Sequence, residues 1–307
     1  MPNVFAVPLG LVALAEVWWV GSPQLHVSEV IPETIDVIAA AALALVLALY
    51  VRQGVQVTKR DVAGPTMAPF LAVPPIVGML LGEALSKSAF VAGRTVVIVS
   101  LAGSLLLGAS LTGRWVISHL DGPSIHPAYF VPTVAAGFVG SFCSAEVGLH
   151  SVAEASFGVG VISWLLLSSI VWNRLFVVDP LPPALVPTLA ILLAPPAIAG
   201  VAYFSMTNGS TGMVSRALGG FALLMALVQV RFIPIYRKLS FSIGFWAFAF
   251  SYAVTGVDGL RWLSIEKVPG SMVYSGLIAG VLTCFVAVLA IKTARVLWLG
   301  QLPRRRP

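Results

Sequence analysis

Ten stretches apolar enough to cross a bilayer follow one another along this chain. They lie near residues 4–20, 33–51, 67–85, 91–110, 126–147, 150–172, 185–206, 214–233, 242–257 and 271–299. A spanning helix needs about 20 predominantly apolar residues. Ten of them take up about 200 residues, so the loops average roughly ten residues and no soluble domain fits between them. The composition agrees: 58% of the 307 residues are hydrophobic, 10% are charged, and the mean hydropathy is +0.97. Soluble domains carry about 25% charged residues. The chain therefore reads as an all-α polytopic membrane protein, with residues 1–307 forming a single transmembrane domain. The fifth and sixth spans nearly touch through Gly148-Leu149-His150, which predicts a tight hairpin. The ninth is short and is expected to end at Gly256-Val257-Asp258-Gly259.

Charge places the loops. Lys and Arg near span ends mark the cytoplasmic side. The segments joining even to odd spans, with the C-terminus, hold 13 of the basic residues, and the opposite side holds 5 (Lys87, Arg94, Arg216, Arg261 and Lys267). This split predicts both termini in the cytoplasm. The Arg304-Arg305-Arg306 tail reads as a topology anchor against anionic lipid, with a regulatory lipid site as the alternative. The net charge of +6 does not indicate a nucleic-acid partner, because the basic residues are spread over loops rather than gathered in one patch. The first basic residue is Arg52, so a cleavable signal peptide is not expected. Cys143 and Cys284 lie in apolar segments without a CxxC, which predicts no disulfide and no thiolate metal site.

A repeat runs through every second span. The cores are Phe5-Ala6-Val7-Pro8-Leu9-Gly10, Leu71-Ala72-Val73-Pro74-Pro75-Ile76-Val77-Gly78, Tyr129-Phe130-Val131-Pro132-Thr133-Val134-Ala135-Ala136-Gly137 and Leu192-Leu193-Ala194-Pro195-Pro196-Ala197-Ile198-Ala199-Gly200. The fifth, Trp246-Ala247-Phe248-Ala249-Phe250-Ser251-Tyr252-Ala253, has Ser251 at the proline position. The intervals are 66, 58, 63 and 56 residues, one helical hairpin per period. A mid-helix proline kinks its helix and frees a carbonyl, which in hydrocarbon must be covered by protein or face a water-filled cavity. The expected architecture is an inner ring of five kinked helices inside an outer ring of five. Pro8, Pro74, Pro132 and Pro195 then line or kink a central pore, although helix packing alone also accounts for any one of them.

His126-Pro127-Ala128-Tyr129-Phe130-Val131-Pro132-Thr133-Val134-Ala135-Ala136 resembles the fifth-span motif of the tellurite-resistance/dicarboxylate transporter family. This family includes bacterial tellurite-resistance proteins, yeast malate permeases, fungal sulfite pumps and plant guard-cell slow anion channels. Ile191 to Tyr203 and Ile243-Gly244-Phe245-Trp246-Ala247-Phe248-Ala249-Phe250 are similar to its seventh and ninth spans. The resemblance covers nearly the whole chain, and the bacterial branch fits best. It implies five helical hairpins in a quasi-fivefold array around a pore, and a homotrimer in the bacterial inner membrane with one pore per protomer. It also implies permeation by small inorganic or organic anions, and occlusion of the pore by a ninth-span phenylalanine. The matching position is Phe250. Ser251 stands where plant members have proline, which leaves the local kink open.

The repeat alignment gives Phe250 a physical reading. The position before the proline holds Val7, Val73, Val131, Ala194 and Phe250, so one ring stands among four short aliphatics. If that position faces the axis, the ring plugs an apolar neck. Packing between helices is the alternative, and Phe248 is the competing gate. No Asp, Glu, Lys or Arg lies in the middle of the inner spans, so anion selectivity rests on the resemblance. Thr133, Ser205 and Thr255 are polar groups compatible with it. Glu16, Glu83 and Glu146 lie farther along their spans. Glu83 is the best candidate for coupling protons to a substrate, with pairing to Lys87 or Arg94 as the plainer alternative. The runner-up function is a proton-coupled carrier of dicarboxylate, tellurite or sulfite. His26, His119, His126 and His150 are scattered, and no HExxH, GxSxG or Walker A motif occurs. No enzyme, cofactor or resident metal is expected.

Overall fold

The computed structural model describes residues 2–118, 120 and 122–298; His119, Asp121 and the arginine tail at 304–306 lie outside the described residues. Among these residues the chain is helical and without strands, and ten helices are long and apolar enough to span a membrane. The helices are α1 (Ala6–Leu25), α2 (Val30–Val51), α3 (Val55–Ala63), α4 (Val73–Ser86), α5 (Phe90–Ile117) and α6 (Ala136–Glu146). They continue with α7 (His150–Val177), α8 (Ala194–Met206), α9 (Met213–Tyr236), α10 (Trp246–Ile265) and α11 (Ser271–Trp298). All but the short α3, which carries Lys59 and Arg60, belong to membrane spans. Gly148 makes the α6–α7 turn with φ of 74°, a conformation that glycine adopts at no steric cost.

Burial sorts the spans into two sets. In the spans built on α1, α4, α6, α8 and α10, 61–89% of the most apolar window is buried, against 11–28% in α2, α5, α7, α9 and α11. The second set presents side chains such as Leu106, Leu165 and Val281 outward, as lipid-facing helices do. Each inner helix packs on the outer helix that follows it. The inner helices also pack on one another in chain order, α1 on α4, α4 on α6, α6 on α8 and α8 on α10, and α10 returns to α1.

Each inner span opens with a tighter helical segment: Pro2–Phe5, Ala68–Ala72, Pro127–Phe130, Val186–Leu193 and Ile243–Phe245 are 3-10, and Val131–Ala135 is a π-turn. Pro74, Pro132 and Pro195 stand at the second position of the segment that follows, and Pro8 at the third of α1. A first-turn proline loses no helical hydrogen bond. The repeat proline therefore marks a junction between two helix types rather than interrupting one continuous α-helix. In the fifth repeat α10 runs unbroken, and Ser251 Oγ donates to the Ala247 carbonyl at 3.0 Å.

Outer helices cover two of the carbonyls at these junctions. Gln229 Nε2 donates to the Leu189 carbonyl at 3.0 Å, and Tyr236 OH donates to Gln229 Oε1 at 2.8 Å. Gly108 of α5 lies against the Pro132 carbonyl, where an added Cβ would come to 2.6 Å. The ninth span does not end near Val257. Gly256 and Gly259 pack against Leu282 and Ile278 of α11, so these glycines permit close helix approach and α10 continues to Ile265.

Candidate functional site: a passage through the inner helices

Three spaces follow one another along the inner helices. The first is a cavity of about 40 Å³ at the 3-10-to-α junctions. All five inner spans line it, through side chains such as Leu9, Val73, Val131, Ala194 and Phe250. The second, of about 20 Å³, lies further along the same helices between Ala13, Leu80, Phe142, Val201 and Val254. Phe250 and Ile198 line both. Phe250 is buried, and its ring stands where the two narrow spaces adjoin. The third space is wide, about 470 Å³, and opens at the C-terminal ends of α1, α6, α8 and α10.

The local sequence fixes the ring. Trp246 Nε1 donates to Thr293 Oγ1 at 2.9 Å, which ties the start of α10 to α11. Gly10 lets α1 close on α10, since an added Cβ would come within 2.6 Å of Ala249 Cβ and 2.8 Å of Trp246 Cε3. Phe248 points elsewhere. Its ring packs against Tyr236 at 4.7 Å and against Phe245 and Tyr252 at 5.5 Å, and it lines neither narrow space.

The other predicted positions divide. Val73, Val131, Ala194 and Pro195 line the first cavity, whereas Val7 does not, and α1 contributes Ala6 and Leu9 instead. Pro8 and Pro74 line none of the three spaces, and Pro132 faces a groove between α5 and α7. Having no N–H, these prolines work through the backbone junction, which turns their neighbours inward. Thr133 shares the Pro132 groove, and Thr255 Oγ1 donates to the Ser251 carbonyl, so of the polar groups only Ser205 faces the passage.

Ionisable groups gather beyond Phe250. Glu16 lines the second space, and Glu83, buried near it on α4, is ion-paired with Lys87. Lys87 also lies 4.8 Å from the Trp19 ring, and Trp19 Nε1 donates to Asp36 Oδ2 at 2.8 Å. Burial works against the Lys87 charge, but Glu16 and Glu83 outweigh it and raise its pKa above the ordinary value. Glu83 thus stands behind Glu16, and Glu16 is the carboxyl that reaches the passage. The sequence signal for this was weak, because a helix of even burial does not reveal which face meets the axis. Arg261, placed in a loop by the sequence, was missed for the same reason as the end of the ninth span.

His126 belongs to a clamp at the start of the fifth span. It is fully buried, its Nε2 lies 3.0 Å from the Thr66 carbonyl, and Tyr129 OH donates to the Pro65 carbonyl at 3.0 Å. Burial, together with the more distant Arg174 charge, lowers its pKa from 6.5 to about 4 against the opposing Thr66 bond. Among the described residues no group of three or more His, Cys, Asp or Glu is placed to hold a metal ion.

Ten spans, five of them largely buried and lining two narrow cavities, describe a polytopic membrane protein. The comparisons narrow the class. The chain belongs to the SLAC1 family of voltage-dependent anion channels, which it matches over residues 1–294. It is 24% identical to a tellurite resistance protein TehA homolog of Haemophilus influenzae, over 97% of this chain and 90% of the relative. It is also 24% identical to the guard cell S-type anion channel SLAC1 of Arabidopsis thaliana and 23% identical to the S-type anion channel SLAH2 of the same plant. Those matches cover 94% and 87% of this chain. The chain spans about half the length of these plant relatives, 54% and 52%.

Proposed function

We propose that this protein is an anion channel whose passage is closed by Phe250. The observation that carries this reading is that the Phe250 ring lines both narrow spaces, each walled by all five inner helices. An apolar neck of this width excludes water, and an ion would have to shed its hydration shell to pass. Anions that dehydrate readily are favoured. In this reading the inner helices form a quasi-fivefold array around the pore within one transmembrane domain. The protein is a homotrimer in a bacterial inner membrane, and both termini are cytoplasmic, as the 13-to-5 basic split favours. Single-channel recording of Phe250→Ala in planar bilayers tests the gate. Anion current should rise about tenfold or more over wild type, as expected when a hydrophobic constriction is removed. Unchanged current in this variant, with a rise in Phe248→Ala, would overturn the assignment.

A second reading has its own observation. Glu16 faces the second space, with the buried Glu83–Lys87 pair near it, and a buried carboxyl beside a second one favours holding a proton. A proton-coupled carrier of tellurite, sulfite or dicarboxylate would use this pair. Flux that saturates, depends on a pH gradient and loses that dependence in Glu16→Gln would favour the carrier, whereas ohmic current would favour the channel.

A further inference from the structure

The wide space at the far mouth contains one feature that a resting pore wall does not require. Arg261 is the only Lys or Arg among the described residues that line the three spaces. It sits 11 residues after Phe250, about three helical turns, so both residues lie on the same face of α10. Its side chain is only 19% exposed. Nη1 donates to Ser205 Oγ at 2.8 Å and Nη2 donates to Glu146 Oε1 at 3.2 Å, while Ser205 Oγ donates to the same carboxylate oxygen at 2.6 Å. The guanidinium carbon lies 5.3 Å from the Phe142 ring centre. Nε is buried and has no partner.

A guanidinium offers its Nε–H and one Nη–H as a parallel pair of donors along one edge. Here one donor is bound to Glu146 through a single oxygen, Nη1 is held by Ser205, and Nε–H is unmet. A buried donor without an acceptor is costly and points to an acceptor that arrives. Glu146 has a 36% exposed side chain at the rim of the space, so it can swing aside without crossing the protein interior.

We propose that Arg261 is the docking site for a small oxyanion entering from this mouth, with Glu146 as a displaceable counter-ion. Two oxygens of a planar or pyramidal oxyanion, of the nitrate or sulfite kind, take Nε–H and the Nη–H released by Glu146, while Ser205 keeps the guanidinium in plane. A space of about 470 Å³ admits such an ion with part of its hydration shell. The two narrow spaces of 40 and 20 Å³ do not, so the anion is captured here before it is stripped at Phe250. The role in permeation rests on the channel reading, but binding is measurable without it.

The test is the quadrupolar line width of chloride in solutions of the purified protein, with nitrate and sulfite added as competitors. Wild type should broaden the line and nitrate should reverse the broadening. Arg261→Gln should weaken binding about tenfold or more, the worth of one hydrogen bond to a charged group. Arg261→Lys should keep chloride binding but lose the preference for nitrate, because an ammonium has no donor edge. Glu146→Gln should tighten binding, an effect that a misfolded variant would not produce. Equal broadening in wild type, Arg261→Gln and Glu146→Gln would overturn the proposal. If Phe250→Ala carries no anion current although these binding shifts appear, the channel reading fails and the docking site stands. If Phe250→Ala conducts and the binding is insensitive to Arg261, the docking site alone fails.

Discussion

The two halves of the inner spans carry different kinds of side chain, except in the span of α8, which holds no Asp, Glu, Lys or Arg in either half. The N-terminal halves hold the 3-10 segments, the repeat prolines and the apolar wall around Phe250, and they contain no Asp, Glu, Lys or Arg. The C-terminal halves are regular α-helix and hold Glu16, Glu83, Glu146, Asp258 and Arg261. Closure and charge are thereby separated along one axis. The first narrow space is lined by apolar side chains alone, and Glu16 on the second is the first ionisable group beyond Phe250. The proposed capture site needs charge and room, and Arg261 in the wide space offers both about three helical turns from Phe250. In the channel reading the passage is apolar around Phe250 and meets an entering anion with Arg261 at its mouth.

The largest expected effect removes the barrier half of this comparison. Phe250→Ala should raise current about tenfold or more, while leaving charge at the mouth intact. Combining it with Arg261→Gln separates the halves, because the first change opens the neck and the second reduces capture at low anion concentration. A double variant with the current and half-saturating concentration of Phe250→Ala alone would show that the mouth plays no part.

The next effect concerns the loop that clamps the dry half. The pKa of His126 falls from 6.5 to about 4 on folding, so between those values the unfolded chain binds more protons. Stability conferred by the neutral ring is complete above about pH 6.5 and is lost as pH falls toward 4, by up to about 3 kcal/mol. Thermal unfolding in detergent should show a drop across this window, and His126→Gln should flatten it. An unchanged acid limb in that variant would place the sensitivity elsewhere.

A packing change probes whether the inner-to-outer seams are as tight as the inner ring. Gly137 of α6 meets Gly160 of α7 so closely that an added Cβ would come to 2.5 Å from Gly160 N. Gly137→Ala should cost about 1–3 kcal/mol, the usual range for overpacking. Gly158→Ala on the same outer helix meets nothing within 4 Å and serves as the control, with an unfolding temperature within a degree or two of wild type. Similar losses in both would show that the seam does not set the effect, since alanine favours a helix over glycine.

Much of this was legible in the sequence, and the part that was not has a physical cause. Ten spans follow from hydropathy, because a bilayer demands length and apolarity from each helix separately. The burial difference between odd and even spans followed from a periodic motif, since proline and small residues recur only where helices pack on every side. Which motif residue faces the passage was less accessible. Val73 and Val131 line it and Val7 does not, because the inner helices are buried all round and carry no polar face to orient them. Asp258 and Arg261 read as a loop because charge near Gly256 and Gly259 imitates a span end. Only packing against α11 shows the helix continuing through them.

The smallest effect tests how the dry half tolerates its irregular backbone. Leu189 lies in the 3-10 segment before α8, and its carbonyl is covered by Gln229 from an outer helix that is otherwise largely apolar. Tyr236 in turn holds the Gln229 amide oxygen. Gln229→Leu keeps the volume but strips both bonds, leaving one carbonyl and one phenol without their partners. In water-filled surroundings such a loss would be compensated; lipid tails neither donate nor accept hydrogen bonds. The measured worth of interhelical hydrogen bonds in membranes is about 0.6 kcal/mol on average and up to about 1.7, so a loss of about 1 kcal/mol is expected in detergent unfolding. Gln229→Leu with Tyr236→Phe should lose less than the sum of the two single changes, because the phenol no longer seeks an acceptor. Strict additivity would mean that the two side chains act separately and that the carbonyl is served by another group.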